Sequence, residues 1–218
     1  MLGGRDVTLN HPRFDMKAPS AVVGPGDAVL APPSGIRPEV ELAAVIGKTL
    51  RNTTVDDAKS GIFGYTIFDD VTAPKDTKDD SYEAYRTDPD TKQLKKATVR
   101  GPLFRSKNHD TFGPMGPVIV TQDELQTDSL RMVTKFNGEL IQSGNTSEYL
   151  FKPEEMAAFV SRFLTLEPGD VISCGSIGWQ PEVLHDKDPS QWVLPSTKGQ
   201  LELEIEGIGV LRNPVRPE

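Results

Sequence analysis

"IRPEVELAAVIG", residues 36–47, decides how the rest of the chain is read. It has the apolar content of a strand, yet it carries Glu39 and Glu41 into a run that continues from Leu42 to Ile46 without a polar break. Successive strand residues point to opposite faces, so Glu39 and Glu41 project together while Val40, Leu42 and Ala44 project the other way. An E-x-E pair is ordinarily the solvated face of a half-buried strand, as Glu202, Glu204 and Glu206 show in "LELEIEGIG". The unbroken apolar run after Glu41 differs, because a strand buried on both faces reads that way. Two carboxylates side by side on a buried strand repel unless positive charge lies between them. A hard divalent cation with oxygen ligands supplies that charge and leaves positions for water and substrate.

A third acid comes from the next strand. "IFGYTIF", residues 62–68, is rich in β-formers and ends at Asp69-Asp70, which puts a carboxylate at the tip of a rigid element. An Asp pair after a strand is also an ordinary turn start. Working outward, Thr54 N-caps a short helix in "TVDDAKSGI", with acids in its first turn. Asn137-Gly138 marks a hairpin between a strand at 130–136 and one entered at Leu140-Ile141. "PEEMAAFVSRFLTL" predicts a helix whose apolar stripe is Met156, Phe159, Val160, Phe163 and Leu164. At the C-terminal end Leu201, Leu203 and Ile205 alternate inward. With 19 glycines and 18 prolines spread along the chain, the fold class expected is mostly β with a few helices.

At 218 residues the chain is long enough for a sizeable core, and no repeat or linker divides it. Residues 1–24 read as a short N-terminal segment and 25–218 as the catalytic unit, with a charged, exposed excursion at 78–98. The formal charge of −8, from 32 acidic and 24 basic residues, repels a phosphate backbone, so nucleic acid is not an expected partner. The single cysteine, Cys174, excludes an internal disulfide. No apolar run reaches about 18 residues, so no membrane is expected as a partner and the expected setting is cytoplasmic.

Six blocks then carry a family resemblance: "EVELAAVIGK", "GYTIFDDVTA", "FRSKNHDTFGPMGPVIVT", "NGELIQSGNTSEYLF", "LEPGDVISCG" and "EIEGIGVLRNPV". Their order and spacing resemble the fumarylacetoacetate hydrolase family, from about Phe14 to Val215. The resemblance implies a mixed β-roll, a homodimer, and Mg²⁺ (or Mn²⁺/Ca²⁺) held by Glu39, Glu41 and Asp70. It implies Lys107 as a catalytic charge partner near the cation, and Ser176, Gln142 and Thr146 as substrate-binding.

The substrates implied are 2-oxo or 2,4-dioxo acids. Hydrolytic cleavage of a C–C bond in an acylpyruvate-type acid, as in the catabolism of aromatic compounds, is the leading expectation. Hydrolysis also needs a base to activate water. The family's lid segment is almost wholly missing between "LNH" (Leu9 to His11) and "FDMKAPSAVVGPGD" (from Phe14), which leaves His11 as the nearest candidate, with His109 and His185 the other histidines. Decarboxylation or isomerisation on the same site, which needs no attacking water, is the alternative reaction, with the charged excursion as a substitute cover. A non-catalytic metal-binding family member is the alternative of another class.

Overall fold

The computed structural model describes residues 9–99, 101–178 and 192–218. Two five-stranded sheets and a two-stranded ribbon dominate the regular structure, in keeping with the expected mostly β class. The first sheet is built around the opening stretch. β3 (Val40–Ile46) is buried at every residue and lies between β4 (Ile62–Asp69) and β10 (Val171–Ser176), antiparallel to both. β7 (Gly113–Thr121) follows on β4, and β1 (Val22–Val23) closes that side. The second sheet runs β2 (Val29–Ala31), β12 (Gly209–Pro217), β11 (Gly199–Ile205), β8 (Arg131–Phe136), β9 (Glu139–Asn145).

The main core lies between the sheets. Val40, Leu42, Ala44 and Ile46 enter it from β3, and meet Leu201, Leu203, Ile205 and Leu211 from β11 and β12. The outward glutamates of β11 are tied sideways instead: Glu202 pairs with Arg212 at 2.7 Å and Glu204 with Arg131. Burial of the even face of β3 therefore directs Glu41, Ala43 and Val45 to the opposite face, where they are buried as well. The hairpin forms where Asn137-Gly138 predicts it, both residues at positive φ (51° and 81°) as a two-residue turn of matching twist requires.

The helices are short. α1 (Val55–Gly61) starts as expected, with the Thr54 side chain accepting from Asp57 N at 3.1 Å. α4 (Pro153–Ser161) is shorter than its apolar stripe predicts. It buries Met156, Ala157, Ala158 and Val160, whereas Phe163 and Leu164 lie beyond its end and are 63% and 49% exposed. Phe163 instead packs edge-on against Phe159, with ring centroids 5.6 Å apart.

The charged excursion leaves the first sheet through α2 (Asp76–Asp79) and forms a ribbon, β5 (Tyr82–Thr87) with β6 (Leu94–Val99). It returns through α3 (Phe104–Lys107). Tyr82, Tyr85 and Leu94 are 53%, 70% and 70% exposed, so the ribbon contributes nothing to the core. Its two strands pack mainly on each other. Its root is tied down: Asp80 pairs with Arg105 at 2.8 Å and Asp76 with His109 at 2.8 Å. Replacing residues 82–99 with a two-glycine turn is accordingly expected to move Tm by less than about 4 °C, since no buried apolar area is lost. A larger drop in a thermal melt would place hidden stabilising contacts on the ribbon.

Candidate active site

Antiparallel register brings the acids together. Val40 stands opposite Asp69 across β3 and β4, and Glu41 stands opposite Ser176 across β3 and β10. The start of β3 and the ends of β4 and β10 therefore meet at one edge of the first sheet. The backbone is locked there, with Asp70 N donating to Glu39 O at 3.0 Å and Glu39 N donating to Asp69 Oδ1 at 2.8 Å. α3 delivers Lys107 to the same place, and Ala73 N donates to Ser106 O at 2.8 Å to fix it.

The charges interlock. Asp70 Oδ2 pairs with Lys107 Nζ, and Asp70 Oδ1 pairs with Lys17 Nζ at 2.9 Å. Lys107 Nζ lies 3.9 Å from Glu39 Oε2, and Arg37 Nε lies 3.4 Å from Glu39 Oε1. Glu41 is held from the other side, its Oε2 accepting from Ser173 Oγ at 2.5 Å and Gly175 N at 3.1 Å. Burial works against ionisation of Asp70, but the ammonium groups of Lys107 and Lys17 outweigh it and hold that carboxyl below the usual range. Glu41 has no such partner in contact, and burial together with the charge of Asp70 pushes it up to about 8. Burial also raises Glu39, against the pull of Arg37 and Lys107. It lowers Lys17 despite Asp70, whereas Lys107, facing Asp70, Glu39 and Glu41, keeps its proton above the ordinary range although burial opposes it.

Glu39, Glu41, Asp69 and Asp70 thus crowd around Lys17, Lys107 and Arg37, four acids to three cations in a largely buried space. Among the described residues no three His, Cys, Asp or Glu side chains form a closed cage as they stand, because lysine ammonium groups take both oxygens of Asp70. The donor set is all carboxylate oxygen, which fits a hard divalent cation and not a soft one.

Asp69 adds a test of the electrostatics. Its Oδ2 is buried without a hydrogen-bond partner, and burial lifts the carboxyl to about 7 from its ordinary 3.8. A raised acid binds a proton in the fold that the unfolded chain has already lost, so stability falls as pH rises from about 4 to about 7 and stays reduced above that. The ceiling is roughly 4 kcal/mol. Asp69→Asn keeps the acceptor for Glu39 N and removes the ionisation. In chelator, its Tm is expected to exceed the unsubstituted chain's by about 4 °C or more at pH 8 and by less than half of that near pH 5; equal melts at both pH values would show Asp69 ionising freely.

Of the residues expected from sequence, Glu39, Glu41, Asp70 and Lys107 converge, and Ser176 stands beside Glu41. The other three are engaged by neighbours within the fold. Gln142 is fully buried, and its amide is consumed in the fold: Oε1 accepts from Val40 N and Thr134 Oγ1, and Nε2 donates to Ser176 Oγ and Ile177 O. It clamps β9 to the segment between the two glutamates and to Ser176. Thr146 is likewise buried, with Oγ1 accepting from Leu130 N at 2.8 Å and donating to Thr127 O at 2.7 Å. His11 stacks on Phe159 of α4 with centroids 5.5 Å apart, and its contacts are with Phe159 and Pro12. It is not brought to the acids. His109 is engaged by Asp76 and stacks on Phe112, and His185 lies outside the described residues.

Lys17 and Ser173 are the residues that sequence reasoning missed. Besides Asp70, Lys17 Nζ donates to Val71 O at 2.9 Å, Lys107 O at 2.6 Å and Phe112 O at 2.9 Å, bracing the end of β4, the end of α3 and the entry to β7. These partners lie 54, 90 and 95 residues away, so no local pattern marks it.

A family profile described as fumarylacetoacetate (FAA) hydrolase, C-terminal, matches residues 4–216. The chain belongs to the fumarylacetoacetate hydrolase family. Among its fumarylacetoacetate hydrolase relatives, human mitochondrial oxaloacetate tautomerase FAHD2A is 36% identical over 209 residues, 94% of this chain and 59% of the relative. The chain thus spans about three fifths of that protein. An uncharacterized protein of Pyrococcus abyssi is 36% identical over 95% of this chain and 81% of its own length. Of solved structures, 5-carboxymethyl-2-hydroxymuconate delta-isomerase from Mycobacterium smegmatis superposes with a TM-score of 0.73 at 28% identity, covering 98% of this chain and 73% of that one. The fumarylacetoacetate hydrolase of Exiguobacterium antarcticum gives 0.74 at 35% identity, covering 93% and 65%. The fold class and family read from the six blocks hold. No helix among the described residues is long and apolar enough to cross a membrane.

Proposed function

We propose that this chain is a divalent-cation-dependent enzyme that moves a proton between carbon and oxygen in 2-oxo acids, interconverting keto and enol forms or shifting the double bond of a 2-hydroxydienoic diacid. The observation that carries this reading is the Lys107 ammonium buried between Asp70 and Glu39, with Glu41 beside them. Removal of a proton next to the 2-oxo group puts negative charge on an oxygen, and a preorganised ammonium in a dry site stabilises such charge as it develops. Lys17 keeps Asp70 and the backbone of Lys107 in place for this. Glu39, Glu41 and Asp70 would hold a cation of the Mg²⁺, Mn²⁺ or Ca²⁺ type, whose chemistry when bound is to polarise the 2-oxo group as a Lewis acid. The enol loses its O–H proton and gains a C–H one, so no water, electron or leaving group enters the balance.

Two relatives support the reading by their names, one an oxaloacetate tautomerase and one a delta-isomerase. C–C hydrolysis of an acylpyruvate is the second reading, favoured by the likeness to the Exiguobacterium hydrolase. It requires a base for water, and the candidate expected for that role, His11, has its ring stacked on Phe159. The small-molecule substrate and the homodimer implied by the family resemblance belong to the same proposal, and sedimentation velocity checks the dimer. For the reaction, the chain is given the enol form of oxaloacetate and, separately, an acylpyruvate, each with Mg²⁺ or Mn²⁺, and loss of enol absorbance is followed beside pyruvate and CO₂ release. Faster enol loss supports tautomerisation. Faster pyruvate release from the acylpyruvate overturns it in favour of hydrolysis, and faster CO₂ release in favour of decarboxylation; no rate above buffer overturns the enzyme reading.

A further inference from the structure

We infer that Ser173, with the bulge that follows it, makes Glu41 a one-oxygen ligand and thereby sets the site's preference for small octahedral divalent cations over calcium. The inference rests on the metal reading proposed above, and its evidence is the register of β10. Val171 to Ser173 pair with Val45 to Ala43 in straight antiparallel order, which continued unbroken would set Gly175 against Glu41. One residue is gained instead, and Ser176 takes that place. Gly175 accommodates the extra residue at φ +98°, a conformation that side chains rarely adopt.

The bulge turns two donors onto one oxygen. Ser173 Oγ and Gly175 N both reach Glu41 Oε2, at 2.5 and 3.1 Å. Glu41 Oε1 accepts no hydrogen bond from the described residues, so it is the oxygen Glu41 has to offer. Calcium takes six to eight oxygens and commonly a carboxylate through both of its own, whereas Mg²⁺ demands a near-regular octahedron and is satisfied by one oxygen from each carboxylate. A carboxylate with one oxygen already spent therefore suits the smaller ion. Releasing Oε2 removes the discrimination.

The test uses the full chain without substrate. Mg²⁺ and Ca²⁺ dissociation constants are measured by titration calorimetry for the unsubstituted chain, Ser173→Ala and Ser173→Thr. Loss of a hydrogen bond to a charged group is expected to shift the Ca²⁺/Mg²⁺ ratio toward calcium by about tenfold in Ser173→Ala. Ser173→Thr keeps the hydroxyl and stays within about twofold of the starting ratio. An unchanged ratio in Ser173→Ala overturns the inference and leaves the metal reading standing, and equal shifts in both variants overturn it by assigning the effect to packing. Failure of the unsubstituted chain to bind either ion overturns the metal reading and this inference together.

Discussion

Glu41→Gln is expected to remove turnover on the order of 10³-fold in kcat/KM while moving Tm by no more than about 3 °C. The separation follows from what holds the side chain. Its Oε2 accepts from Ser173 and Gly175, both neutral donors, and a glutamine amide oxygen accepts from the same two groups. The fold therefore loses nothing it uses. At Oε1 the change is complete, because an amide NH₂ presents hydrogens where a carboxylate presents a lone pair, and a hard cation is repelled. Steady-state kinetics on the enol substrate, together with the Mg²⁺ dependence of Tm, checks both halves. A variant that keeps more than about a tenth of the activity would end the assignment of Glu41 to the site.

Lys107→Met has the opposite profile, losing activity and stability together. The ammonium lies beside Asp70 and near Glu39, and its side chain is only 11% exposed. Removing one partner of a buried pair strands the other, at about 3 kcal/mol, which lowers Tm by roughly 6–12 °C in a chain of this length. Lys17 still holds Asp70 and keeps the loss toward the smaller end. If Lys107 also meets the oxygen where charge develops, kcat falls by about 10²-fold or more, with a smaller change in KM. Adding Mg²⁺ is expected to restore part of the lost Tm, since a bound dication neutralises the carboxylates that the substitution leaves exposed to each other. A melt insensitive to Lys107→Met would mean that Asp70 is satisfied by Lys17 alone.

What the sequence made legible was local or periodic. The unbroken run after Glu41 marked a strand buried on both faces, Thr54 marked a helix start, and Asn137-Gly138 marked a hairpin, and each is where its pattern put it. Each rests on neighbours within a few residues. The acids were legible as a pair and a tip, but their meeting depends on the register between β3 and β4. Lys17 had no local signature because its acceptors are carbonyls of three distant segments. Gln142 and Thr146 lie in a block of family likeness, yet their hydrogen bonds are spent inside the protein. A motif reports where a residue sits in the chain and is silent on which groups will claim its polar atoms. The helix stripe misled for another reason: Phe163 and Leu164 obey the period, but the helix stops at Ser161, whose Oγ turns to accept from Thr53 N.

The Lys17 brace carries a practical corollary for handling the molecule. One ammonium grips Asp70 and the carbonyls of Val71, Lys107 and Phe112, so a cut that removes Lys17 releases three separate loops at once. Losing that single charge should thus slacken all three together and not one after another.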